Sequence, residues 1–537
     1  MVHYSIKKVM LIAGLVLTVL SLTLSPVQAA NKLVFSQTSD GTTLDITKGN
    51  SIPDQNIAKL MSEGLVRTKS GELTPGIAKS WDISKDGKIY TFHLRSSKWS
   101  DGTKLTAYDF EYSIKRLMDP KVASPYSFIG MTIENAGPVN KGEMGLDKLG
   151  VKAVDDLTLK IILENPADYF LSSLALSNFS PVRKDYVDKY GQEFATSADK
   201  LLYNGPFYLA EYTPLSKKIF KKNPYYWNAG AVSLDEIEVI VVEDPMTALQ
   251  MYQTGDLHFA EVPETLYPNY KDNAFSYMYS IEWIGFNKRK KDSKPWLANM
   301  DFIKAINLSI DREVFTALSS RGLNLPAQRY IMPILMGKTK SYGEDYPLNF
   351  YDKKAQKTEA VKHLKKAMQT LNISNPADIE VSYQITSNNP QLKRQAEVLQ
   401  SMITKNLGIT FNITQVEYKH HWASLKKGDY EMAWQGWVPD YNSPFSYLEI
   451  WQTDGYYAAR CGYSDAGFDS QIKKALESTD RNKSLDYYYS AEQQLLKTAP
   501  MVPLHMRQKA VLINPNVKGL DFYFIGYDID ASFAKIK

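Results

Sequence analysis

Ile379-Glu380-Val381-Ser382-Tyr383-Gln384-Ile385 alternates apolar and polar residues, the period of a half-buried strand. Leu392, Ala396, Leu399, Ile403 and Leu407 follow at helical spacing and Gly408 closes that helix. Ile409, Phe411 and Ile413 then alternate again. Strand, helix and strand in succession predict a parallel pair with a right-handed crossover, so the chain reads as α/β. Just upstream, Val361, Leu364, Met368 and Leu371 predict a helix ending near Asn375-Pro376. Further back, Ile237 to Val242, a helix opened by Pro245 and stopped by Gly255, and Leu257-His258-Phe259 predict another strand–helix–strand unit. There is no internal repeat, low-complexity tract or long Pro/Gly-rich linker, which predicts one multi-lobed body.

The 537 residues exceed one domain of roughly 100–200 residues and predict two or three lobes. The start reads as a secretory signal peptide, residues 1–29. Lys7 and Lys8 precede an apolar run from Val9 to Leu24, and Val27-Gln28-Ala29 is a small-x-small cleavage signal, with cleavage after Ala29 or Ala30. No cysteine lies beside it to carry a lipid, so a freely soluble periplasmic protein is expected, without stable membrane insertion. Removing the signal takes two lysines and no acids, and the formal net charge falls from +4 to +2. Near balance argues against nucleic acid as a partner. Cys461 is the only cysteine, so no intrachain disulfide forms. It is not expected to act as a nucleophile, and His420-His421 reads as a solvent-facing pair rather than a metal site. No His-Glu-x-x-His, Gly-x-Ser-x-Gly, phosphate-loop or Cys-x-x-Cys motif occurs, so the chain is not expected to be an enzyme or to carry a cofactor or metal.

The segment Ala433-Trp434-Gln435-Gly436-Trp437-Val438-Pro439-Asp440-Tyr441-Asn442-Ser443-Pro444 combines a glycine, two tryptophans and one carboxylate before a turn. Gly436 permits close backbone approach, and Asp440 suits a cation such as an α-ammonium.

Other segments are turn-rich scaffold. Asp86-Gly87 predicts a hairpin turn, Tyr90, Phe92 and Leu94 alternate as strand, Asp101-Gly102 is a second turn, and Thr106 is a helix N-cap. Ala78-Lys79-Ser80-Trp81 through Phe110 resembles the hallmark of the family-5 solute-binding proteins. Leu44-Asp45, Asn204-Gly205-Pro206-Phe207, Asn223-Pro224-Tyr225-Tyr226-Trp227, Gly255-Asp256, Phe286-Asn287 and Asp311-Arg312 match that family in order. Ile46 replaces its usual proline, and Ile303-Lys304 its usual Val-Arg.

Within the family the chain is most similar to the oligopeptide-binding branch. The resemblance implies a two-lobed periplasmic binding protein fold of type II, with an additional small domain and a hinge between lobes. Residues 30–65, 185–280 and 505–537 are expected to form lobe I, 66–184 the small lobe II, and 281–504 lobe III. It also implies a binding component of an ABC importer that captures short peptides as a monomer and hands them to the importer's membrane subunits. Asp440 falls where relatives hold the free amino end. Gly436, Trp437 and Val438 fall on one main-chain edge and Asn50, Ser51 and Ile52 on the opposite one. Tyr126, Tyr418 and Trp283 match pocket aromatics, and Trp434 stands where a pocket arginine is usual. The resemblance also implies that enteric relatives carry a disulfide from the Val438 position to one near Ser280, and both cysteines are absent here. A metal chelate as ligand, or a chaperone-like binder of unfolded chains, are the alternatives. Aromatic, Gly and Asn residues around Asp440, without a cluster of like charges, predict tolerance of peptide sequence.

Overall fold

The computed structural model describes residues 31–537 apart from 70, 388 and 524. The expected signal peptide lies outside the described residues. In chain order the main strands are β1 (Lys32–Gln37), β2 (Ala78–Ile83), β3 (Ile89–Leu94), β4 (Val151–Asp155), β5 (Thr158–Ile162), β6 (Phe207–Thr213), β7 (Lys217–Lys222), β8 (Glu236–Val241), β9 (Phe259–Glu261), β10 (Phe275–Phe286), β11 (Glu380–Thr386), β12 (Thr410–Val416), β13 (Met432–Trp437) and β14 (Met501–Ile513). They build three sheets, in the orders β1-β8-β7-β6, β2-β3-β5-β4 and β9-β14-β10-β13-β11-β12.

The unit around residue 379 forms as its periodicity requires. β11 and β12 pair in parallel from Glu380↔Thr410 to Thr386↔Val416, joined by helix Pro390–Leu407, which Asn389 caps and Gly408 ends at φ 73°. Leu392, Ala396, Leu399, Ile403 and Leu407 are all buried against the sheet. The hallmark hairpin also forms. β2 and β3 are antiparallel, Gly87 takes φ 69° at their turn, and Thr106 closes a capping box with Asp109 at the start of helix Ala107–Met118.

The first strand–helix–strand unit departs from expectation. Helix Pro245–Thr254 forms, capped by Asp244 and ended by Gly255, but the strands on either side of it do not pair. β8 lies in the first sheet beside β1, whereas β9 pairs antiparallel with β14 in the third. The His258 N–H still donates to Val34 O on β1 at 2.9 Å, so the chain touches the first sheet before leaving it. Residues 185–280, expected wholly in lobe I, thus send β9 and the first half of β10 into the third sheet.

β10 and β14 are the long crossing strands. They pair antiparallel from Phe275↔Val511 to Gly285↔Met501, with register shifts between Met278 and Ser280 and between Glu282 and Trp283. At one end Phe259 and Val511 join the core of the first sheet. At the other, β10 and β14 contribute Ile284, Phe286, Val502 and Leu504 to the core under β11 and β12. Glu282 is buried at the second shift. Burial would raise its carboxyl, but the His505 hydrogen bond at 2.8 Å and the charges of His505 and Arg507 outweigh that and hold it at about 2.

Candidate functional site

β13 has one paired edge and one open edge. On the β10 side it is paired from Phe286↔Met432 to Ile281↔Trp437. On the other side β11 covers only Met432 and Ala433. Beyond them the main chain of alternate residues faces outward, because both polar groups of a strand residue point to the same edge. Trp434 O and Gly436 O lie on that outward edge, accepting from His421 Nε2 at 3.1 Å and from the Tyr457 hydroxyl at 3.0 Å. The same parity puts the Val438 main chain there. The paired stretch ends at Ile281↔Trp437, so Val438 lies just past it. A Cβ on Gly436 would meet Ile281 O at 3.2 Å and Glu282 Cγ at 3.3 Å, so the glycine keeps this edge flat. Trp437 packs on Tyr456 and Tyr457, and its buried indole N–H has no hydrogen-bond partner among the described residues.

Pro439 has no N–H and stops the strand. The Asp440 N–H is then taken by Ser446 Oγ at 2.9 Å. Asp440 keeps a little exposed surface but lies deep in the body, and no cation faces its carboxylate among the described residues. Burial pushes that carboxyl up to about 7. Burial also pushes Glu449 up to about 8; the Tyr441 hydroxyl, donating to Glu449 Oε1 at 2.8 Å, opposes this, and the Asp440 charge adds to it. Tyr126 feels the same carboxylate: burial first, then the Asp440 charge, raise its hydroxyl. Two buried acids without a cation are an electrostatic demand for one.

A proton linkage follows. Were a cation such as an α-ammonium to bind beside Asp440, it would favour the ionised carboxyl and lower its pKa, so uptake is expected to release protons at pH values below about 7. Affinity is expected to climb with pH up to about 7 and to fall again when the ligand's own α-amine deprotonates near ~8. Calorimetry at mildly acid pH in buffers of different ionisation enthalpy reads the released proton directly. A flat affinity profile on the acid side of neutrality is the contrary result.

Neighbouring segments lock around Asp440. Asn442 donates from its main chain to Ser172 Oγ at 2.8 Å and from Nδ2 to Gly71 O at 3.0 Å, while its Oδ1 accepts from Met336 N at 2.8 Å. Tyr441 stacks on Tyr169 at 4.5 Å. Ser124 Oγ donates to Thr47 O at 2.6 Å and accepts from Tyr126 N at 3.2 Å, fixing half-buried Tyr126 beside the 45–52 segment. That segment is itself anchored by a bidentate Arg116–Asp45 pair at 2.9 and 2.7 Å.

Six further expected site residues are placed as follows. Asn50, Ser51 and Ile52 do not form a strand edge. Ser51 is the N-cap of helix Ile52–Met61, and the Asn50 and Ser51 N–H groups both donate to Asp54 Oδ2, at 3.2 and 3.1 Å. The capping box consumes the donors that pairing needs. Ile52 is half-buried and lines a cavity. Trp283 is not a pocket wall: it is fully buried, edge-on to Tyr330 and Tyr457, with its N–H satisfied by Gln435 Oε1 at 2.9 Å. Trp434 is half-buried against His421 and Trp422. Tyr418, 62% exposed, opens helix Tyr418–Lys427 and packs edge-on to Trp422.

Sequence reasoning missed His421, Asn442, Glu449 and Tyr457. His421 is fully buried rather than solvent-facing, and burial drives its pKa down to about 4. Gln384 Nε2 lies 3.1 Å from its Nδ1, which leaves the proton on Nε2 to donate to Trp434 O. Cys461 is buried and its thiol is pushed up to about 12 by that burial, which keeps it unreactive. No helix among the described residues is long and apolar enough to cross a membrane.

A model of the bacterial extracellular solute-binding proteins, family 5, middle region, matches residues 72–458. The chain is 31% identical over 488 residues to the dipeptide-binding protein DppE of Bacillus subtilis, spanning 90% of this chain and 88% of that one. It is 30% identical over 495 residues to the periplasmic oligopeptide-binding protein OppA of Escherichia coli, spanning 91% and 89%. The structure of Listeria monocytogenes OppA bound to peptide matches at a TM-score of 0.76 and 28% identity, over 95% of this chain and 99% of that chain.

Proposed function

The chain belongs to the family-5 bacterial extracellular solute-binding proteins, and on that premise we propose that it is the periplasmic receptor of an ABC importer for short peptides. The observation that carries this reading is the edge of β13 left without a strand partner beyond Ala433, which runs through Gly436 and Val438 into a deeply placed Asp440 with no cation of its own among the described residues. An extended peptide adds to that edge by main-chain hydrogen bonds, which read every sequence alike. Its α-ammonium meets Asp440 and fixes the register. Trp437 offers an indole face and a free N–H. The Asn50–Ile52 turn bounds the cleft from the other side without pairing. The residues bind and orient; nothing in their arrangement calls for bond making or breaking.

In this reading residues 30–65, 185–280 and 505–537 act as lobe I, apart from β9 and the parts of β10 and β14 that join the third sheet, with 66–184 as lobe II, 281–504 as lobe III, and β10 and β14 as the hinge. Only a ligand that touches both sides favours the closed state, and by its differential affinity alone. The closed monomer is what the membrane subunits of the importer read. Native mass spectrometry of the purified protein with a mixed pool of short peptides tests the function: one intact peptide per chain is expected, and no retained peptide overturns it. Small-angle scattering tests closure. The radius of gyration is expected to shrink at saturating peptide, and an unchanged profile counts against a hinge.

A further inference from the structure

A cavity of about 330 Å³ lies where helix Ile52–Met61 faces the crossing strands. Ile52, Tyr277, Tyr279, Glu261, Lys509 and Asp528 are among its walls. Its wall residue Ile52 belongs to the Asn50–Ile52 turn that bounds the proposed cleft, so the cavity opens beside that cleft.

The charges in this cavity do not balance. Lys509 Nζ sits 2.7 Å from Asp528 Oδ2 and 3.5 Å from Glu261 Oε2, over the Tyr279 ring at 4.5 Å from its centroid. Within the cavity wall one ammonium faces two carboxylates, and behind the wall Arg507 also acts on Glu261. Asp528 Oδ1 is buried and accepts no hydrogen bond among the described residues. A buried carboxylate oxygen without a donor is costly, and the cost disappears when a donor arrives. A lysine or arginine side chain supplies both the donor and the missing positive charge. Its methylene stem has Tyr277 and Phe522 to lie against, and cation–π attraction to the tyrosine rings adds to the preference. A glutamate there brings a third carboxylate to a single ammonium.

We propose that this cavity is a side-chain pocket that selects basic over acidic residues at one position of the bound peptide. The proposal rests on the peptide-capture reading and narrows it: main-chain pairing stays indifferent to sequence, but one position reads the sign of charge.

The test is calorimetry on the full mature chain with alanine tetrapeptides. Lys or Glu replaces Ala in turn at each position after the first, and each peptide is made with a free and with an amidated C-terminus. At one position Lys is expected to bind about tenfold tighter than Ala and Glu about tenfold weaker, the scale of a partly buried charge contact. Asp528→Asn is expected to bring the Lys and Ala peptides at that position within about twofold. Glu261 is 52% exposed, so Glu261→Gln probes the same charge without burdening the fold and is expected to shrink the preference. Equal binding of Lys, Ala and Glu peptides at every position overturns the pocket. So does a preference that survives both substitutions, and so does a flat scan with affinity lost on amidation, which assigns Lys509 to the peptide's terminal carboxylate instead. Failure of every tetrapeptide to bind overturns peptide capture itself.

Discussion

Asp440→Asn is expected to weaken binding of peptides with a free amino end by about 2–5 kcal/mol, the cost of removing one partner from a desolvated charge pair. Asparagine keeps the size and the turn, and the Ser446 bond to the main-chain N–H survives, so the loss isolates the charge. The same substitution is expected to stabilise the free protein at neutral and alkaline pH. The folded carboxyl titrates at about 7, above the ordinary value of 3.8. A group raised in this direction contributes stability that is fully present below the unfolded value and lost as pH rises through the folded one. Wild type is therefore expected to lose stability relative to Asp440→Asn between pH 3.8 and about 7, and the two unfolding curves should converge in acid. Weaker binding with no stability gain at alkaline pH would point to a disturbed fold rather than a lost ion pair.

The other large effect concerns the scaffold behind the site. Glu492 is fully buried on helix Arg481–Thr498. Its Oε1 accepts from Arg329 Nε at 3.2 Å, Tyr330 N at 3.2 Å and Ile331 N at 2.9 Å, and its Oε2 pairs with Arg329 Nη2. Glu492→Ala strands a buried guanidinium and two main-chain donors, at an expected cost of about 3–5 kcal/mol. Tyr330 packs edge-on to Trp283 at 5.4 Å and accepts from Trp451 Nε1 at 2.9 Å, so the damage reaches the back of β10 and β13. Urea unfolding followed by tryptophan fluorescence reads it. A midpoint shared by wild type and Glu492→Ala contradicts this account of the core, whereas Glu492→Gln is expected to fall between the two.

The sequence made the local units readable and the long-range ones unreadable. Apolar periodicity over 379–413 is a local signal, and a strand–helix–strand unit with its own caps folds as that signal says. The same signal over 237–259 gave the elements but not the partners, because β9 chooses β14, more than two hundred residues away, over β8 beside it. Asp440 was singled out by the match of its segment to the family, because a lone carboxylate beside two tryptophans reads equally as a core aspartate. Trp283 was not, since an aromatic on a strand beside the site reads alike whether it faces the cleft or the core. Ser51-Ile52-Pro53-Asp54 carries a helix-start signature that argues against a strand edge, and the captured N–H groups bear that signature out. His421 and Glu449 had no sequence signal: only the fold brings the imidazole to Trp434 O, and the second carboxylate within reach of Asp440.

The central claim is that Asp440 receives a positively charged amino end at the head of an open strand edge. Titrating the wild-type mature chain with trialanine and with N-acetyl-trialanine at pH 7 tests it most directly. Acetylation leaves the peptide's remaining backbone able to pair, removes the ammonium and puts a neutral amide in its place. The acetylated peptide is expected to lose about 2 kcal/mol or more, roughly thirtyfold or greater in affinity. Equal affinities for the two peptides contradict the claim.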